Sequence, residues 1–79
     1  HMPVAGAQLP LAMAHEGHSV HVKRVSGSTE MRRHLENLGF VEGAEVNVVS
    51  QSGSSGTIVK VKGAQLGVDH ATCMHVFVS

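Results

Sequence analysis

Tryptophan and tyrosine are absent from this chain of 79 residues, and phenylalanine occurs only twice. The hydrophobic share of 42% is mostly Val, Ala, Leu and Met. That is enough for a packed core in one small domain, but it leaves nothing for a large enclosed pocket. Size argues against a multi-step enzyme with a deep active site. Charge of one sign is also missing, because six basic residues balance six acidic ones. A stand-alone nucleic-acid binder needs clustered Lys and Arg against phosphates, and a polybasic membrane-surface module needs the same. Neither fits. The one cysteine, Cys73, has no partner for an internal disulfide, which points to a reducing compartment. No apolar run reaches the ~18–20 residues of a membrane span. No charged region followed by an apolar stretch marks a secretory signal. These absences together predict a soluble, cytoplasmic protein that does not insert into membranes.

What is present centres on Ser28 to Gly43 (S-T-E-M-R-R-H-L-E-N-L-G-F-V-E-G). Met31, Leu35 and Leu38 recur at i, i+4 and i+7, one face of an α-helix. Ser28 is a good N-cap, since its hydroxyl can accept from a first-turn N–H that lacks a helical partner. Glu30 places negative charge in the first turn, at the positive end of the dipole. Gly39 can close the helix in a left-handed conformation, with Phe40 folding back onto the apolar face. The spacing predicts an amphipathic helix over about Ser28–Leu38.

The remaining chain alternates at period two. His1-Met2 reads as a cloning scar and residues 3–9 as a loose arm, together 1–9, and 10–79 as one domain. Pro10 to Ala14 is expected as a short edge strand, and Glu16-Gly17 as a turn. Ser19–Val25 predicts a half-buried strand with Val20 and Val22 inward. Glu45–Ser50 and Thr57–Lys62 predict two more, joined through a flexible Gly/Ser-rich loop, Gln51–Gly56. That loop lacks the Lys and following helix of a phosphate-cradling motif. Gln65–Val68 and His75–Val78 complete the set, with a short helical turn near Asp69–Cys73 capped by Asp69. Five or six short strands with hairpin spacing favour a small antiparallel barrel, closed or partly closed. The helix would plug one open end.

The run Glu30 to Gly43 resembles the signature of the FeoA family of small ferrous-iron-uptake proteins: an Arg-rich helical turn, Leu, then Leu-Gly-Phe and a second Gly before a strand. Val46–Val49, Thr57–Gly63, Leu66–Val68 and Val76–Val78 look like the strands that follow in that family, and Leu11, Gly17 and Val20–Val22 like its opening. The likeness covers roughly residues 10–78. Cys73 stands where the family usually carries a small residue such as Ala. The resemblance implies an SH3-like barrel with a cytosolic accessory role in Fe(II) uptake. The partner it implies is FeoB, the membrane transporter with a cytosolic G domain. Relatives of this barrel also occur as the C-terminal domain of iron-dependent repressors.

Three groups of residues are candidates for binding. Arg32 and Arg33, with Glu36 and His34 beside them, form a helix face suited to docking, because Arg makes planar, bidentate bonds to carboxylates. A local Arg32–Glu36 ion pair at i, i+4 is the plain alternative. His70, Cys73 and His75 form the candidate metal set, since thiolate and imidazole suit Zn(II) or Fe(II). No cofactor is required, and such an ion would be an optional ligand. His15-x-x-His18-x-x-His21 is the densest histidine cluster, but a spacing of three in a strand alternates faces. It chelates only if the turn at Gly17 bends its members together. No G-x-S-x-G elbow or other nucleophile motif supports catalysis. The expectation is therefore a non-enzymatic barrel that docks on FeoB through the helix face or the Gln51–Gly56 loop. Valine-rich edges, with arm exchange over residues 3–14, would allow a homo-oligomer. The rivals are a His/Cys metal sensor and a detached repressor barrel. The absence of a helix-turn-helix tells against the DNA-binding version of the latter.

Overall fold

Alternating valines build most of this fold. The computed structural model describes residues 7–79, so the expected cloning scar and the first part of the arm lie outside the described residues. Six strands form one antiparallel sheet: β1 (Leu9–Pro10), β2 (Ser19–Val25), β3 (Glu45–Gln51), β4 (Thr57–Val61), β5 (Ala64–Val68) and β6 (Val76–Val78). Their order is β1-β6-β2-β3-β4-β5. Helix α1 (Thr29–Asn37) links β2 to β3, and the short helix α2 (His70–Cys73) links β5 to β6. Val22, Val46, Val48, Val59, Val61, Val76 and Val78 point to one core, which Leu11, Leu35, Phe40 and Cys73 fill.

Helix α1 has both ends as its sequence requires. Ser28 Oγ accepts from Met31 N–H at 3.1 Å. At the other end Phe40 N–H donates to Leu35 O and Gly39 N–H to Glu36 O, both at 3.0 Å, which closes the helix in a Schellman motif. Leu35 is fully buried, and Met31 and Leu38 pack against the core beside it. Asp69 Oδ1 accepts from Thr72 N–H at 2.8 Å and caps α2 in the same way.

Two strands break their alternation. In β2 the register with β6 slips between Val22 and Arg24, and in β3 the register with β4 slips between Val48 and Ser50. Each slip is a β-bulge, with two residues opposing one. In β2 it leaves both Lys23 and Arg24 exposed and returns Val25 to the core side. In β3 it leaves Val49 outside and brings Gln51 opposite the buried Thr57.

Two expectations are corrected. Only Leu9 and Pro10 pair as an edge strand, against Val78 and Phe77, so the arm ends earlier than expected. The chain then turns into a 3-10 helix over Leu11–Met13. Leu11, Ala12 and Ala14 are all buried, and no two-residue period can put those three positions on one face. The Gln51–Gly56 stretch, expected as a flexible Gly/Ser-rich loop, contains a 3-10 turn over Gly53–Ser55 and is tied down through Gln51. Gln51 Nε2 donates to Ala14 O (2.8 Å) and Leu11 O (3.2 Å), and its Oε1 accepts from Thr57 Oγ1 (2.7 Å) and Gly53 N–H (3.3 Å).

Candidate functional site

A cleft of about 260 Å³ lies between α1, the second half of β2 and the segment after the helix. Half-buried Val25 and exposed Val41 form its apolar floor, backed by the fully buried Val22 and Phe40. The β2 bulge supplies Lys23 and Arg24 from one side, α1 supplies Arg32 and Glu36 from the other, and Glu42 closes the end. Arg32 and Glu36 sit one helical turn apart, which puts them on one wall. The Arg32 guanidinium reaches back to Thr29 Oγ1 at 3.4 Å. The Arg24 guanidinium carbon stands 4.0 Å above the centre of the Phe77 ring, a cation–π contact that holds its side chain down on the sheet. Three cations and two carboxylates around an apolar floor suit a polypeptide segment that carries charges of both signs.

Of the predicted docking residues, then, Arg32 and Glu36 come together. Arg33 is exposed on α1 but does not line this cleft. Sequence reasoning missed Lys23, Arg24 and Glu42. The spacing Val22-x-x-Val25 breaks period two, but it shows as a bulge only against the partner strand β6. The Gln51–Gly56 surface also borders a shallow depression of about 300 Å³, shared with Gly67 and Asp69.

The structure does not gather His70, Cys73 and His75. Cys73 ends α2 and is fully buried, with its thiol 3.5 Å from the Val68 carbonyl. Burial pushes that thiol above its ordinary range. His75 turns toward β2, its Nδ1 3.1 Å from Ser26 Oγ. His70 is exposed at the first position of α2. The expected shared face required extended backbone from Cys73 onward, and the strand begins only at Val76. Among the described residues no three His, Cys, Asp or Glu side chains are grouped for a metal ion. In the other histidine cluster the turn does bend two members together: the His15 and His18 ring centres are 5.6 Å apart. His21 departs onto β2, opposite Glu45.

No helix among the described residues is long and apolar enough to cross a membrane. Comparison with known proteins gives a consistent fold. The family model for the FeoA domain matches residues 9–79. A crystal structure of the iron uptake regulatory protein FeoA is similar at TM-score 0.84 and 22% identity, over 91% of this chain and 96% of that one. A zinc complex of FeoA from Stenotrophomonas maltophilia, described as a procaryotic SH3 domain protein, is similar at TM-score 0.78 and 25% identity, over 90% and 89%. The repressor IdeR of T. acidophilum is similar at TM-score 0.80 and 16% identity, over all of this chain but 36% of that one. No curated protein sequence matches. The six-stranded sheet is therefore SH3-like, as the sequence implied.

Proposed function

The chain belongs to the FeoA domain family, and from that premise we propose that it is a non-enzymatic accessory protein of bacterial ferrous iron uptake, docking in the cytosol on the cytosolic part of FeoB. The α1–β2 cleft carries the proposal. It combines an apolar floor with unlike charges from two elements, the composition of a specific peptide contact rather than of a solvated helix face. Arg32 anchors the contact by a bidentate bond to a partner carboxylate, and Lys23 steers the approach. The likeness to repressors supports only a shared fold. In the described residues three strands separate α1 from α2, so these helices do not form a helix-turn-helix.

The test is calorimetric titration, with metal chelated, against the cytosolic portion of the cognate FeoB. Saturable binding is expected, weakened about tenfold or more by Arg32→Glu, a loss of about 1.4 kcal/mol at least. Arg33→Glu, outside the cleft, should change affinity much less. Equal losses for the two variants would move the contact out of the cleft and onto the helix's outer face. Binding only after Fe(II) or Zn(II) is restored would replace docking by metal-dependent sensing.

A further inference from the structure

His15 and His18 flank a turn that the docking reading does not use. Glu16 and Gly17 are its central residues, Gly17 has φ +85°, and His18 N–H donates to His15 O at 3.2 Å. Three more hydrogen bonds tie this turn to β3. Gly17 N–H donates to Val48 O (2.7 Å), Val48 N–H to His18 O (2.9 Å), and Gln51 N–H to Glu16 Oε1 (2.9 Å). The backbone that carries both histidines is thus fixed on each side. Their rings, on exposed residues, lie 5.6 Å apart with planes inclined by 49°.

That separation is close to what a shared metal ion requires. Two imidazoles bound to one tetrahedral ion at ~2.0–2.1 Å have ring centres about 5.2 Å apart. We propose that His15 and His18 form a two-imidazole site for a divalent transition ion of the zinc–copper class, with water in the remaining positions. Imidazole favours such ions, and the order of divalent affinities places Fe(II) below Zn(II) and Cu(II). The site accordingly prefers Zn(II) or Cu(II) to Fe(II). It does not include His21, which the strand carries away, or the buried Cys73. Ring packing alone also tolerates this spacing, and the two explanations part on added metal.

The experiment titrates Zn(II) into the full chain in a His1→Ser background, which removes one further imidazole that lies outside the described residues. Calorimetry should show one saturable site, with amide shifts in a heteronuclear NMR spectrum confined to the residues around 14–19. The thermal midpoint should rise with Zn(II), because the turn exists only in the folded chain. His15→Ala and His18→Ala should each abolish the saturable phase, while His34→Ala and His70→Ala leave it intact. Both target residues are exposed, and matching circular dichroism spectra would show that the variants fold. One ion per two chains, lost in the same variants, would also support the site and assign the open positions to a second copy. Undiminished binding in His15→Ala/His18→Ala, shifts centred elsewhere, or no saturable phase would overturn it.

Discussion

The side-chain amide of Gln51 ties the distant 3-10 turn at Leu11–Met13 to its own hairpin, at the start of β4 (Thr57) and the turn beginning at Gly53. Replacing it by Leu keeps the volume but strands the Ala14 carbonyl and the hydroxyl of the nearly fully buried Thr57, while the Leu11 carbonyl keeps its bond from Ala14 N–H. Leaving such groups unpaired costs about 1–3 kcal/mol. Gln51→Leu should therefore lower the urea midpoint by a corresponding amount, and an unchanged midpoint would mean that water replaces the amide without loss. Gly56 closes the same turn with φ +111°, and a Cβ there would stand 2.7 Å from the Val68 carbonyl oxygen. Gly17, at φ +85°, has open space around its missing Cβ. Left-handed backbone costs a non-glycine residue roughly 1–2 kcal/mol at either position. Gly56→Ala must add a backbone displacement, so it should destabilise clearly more than Gly17→Ala in the same denaturation series. Cys73 makes a third residue-scale test. Buried and with its thiol held protonated by desolvation, it should resist alkylation at neutral pH until urea unfolds the chain.

At the scale of elements, α2 is short enough that its cap matters. Hydrogen bonding from the Thr72 side chain and backbone holds the Asp69 carboxyl below its ordinary value of 3.8. A carboxyl lowered in the folded state contributes stability that is present above the unfolded value and lost as pH falls through the folded one. Asp69→Asn keeps a capping oxygen but no titrating charge. The stability advantage of the parent over Asp69→Asn should thus shrink as pH drops below about 4, followed by urea unfolding at a series of pH values. An advantage that stays constant would put the interaction in the cap geometry rather than in the charge. Both caps were legible in the sequence, because Ser28 and Asp69 act on N–H groups three residues away. The strands were legible too, since valine alternation needs no partner to be seen. The bulges were not. A bulge is a relation between two strands, and Val22-x-x-Val25 could be read only once β6 lay beside it. The cleft residues Lys23 and Arg24 were missed for that reason, while Arg32 and Glu36, one turn apart on a helix, were found. The metal set failed on a similar dependence: Cys73 and His75 share a face only in a strand, and the Asp69 cap had already committed Cys73 to a helix.

At the scale of the whole molecule, α1 and the sheet share a single core, and Phe40 is its largest fully buried side chain. It stands where the helix ends, with its N–H on the Leu35 carbonyl and its side chain in the same core as the strand valines, and it lies beneath the cleft floor. At 0.05–0.15 kcal/mol per residue, a chain of this length has roughly 4–12 kcal/mol of net stability. Truncating a buried Phe to Ala costs about 3–5 kcal/mol. Phe40→Ala should therefore remove a large part of the total, with a fall in thermal midpoint of roughly 12 °C or more at about 4–8 °C per kcal/mol. Phe77, only half-buried and opposite Arg24 on the outer face, is the internal control, and Phe77→Ala should fall distinctly less. With no Trp or Tyr for fluorescence, the measurement is far-UV circular dichroism against temperature. A single transition shifted strongly down for Phe40→Ala is expected, because helix and sheet have no separate cores to melt from. Loss of the helical signal first, with the sheet melting at the parent temperature, would show instead that α1 is an appendage. Docking through the α1–β2 cleft would then have to be sought on the strands alone.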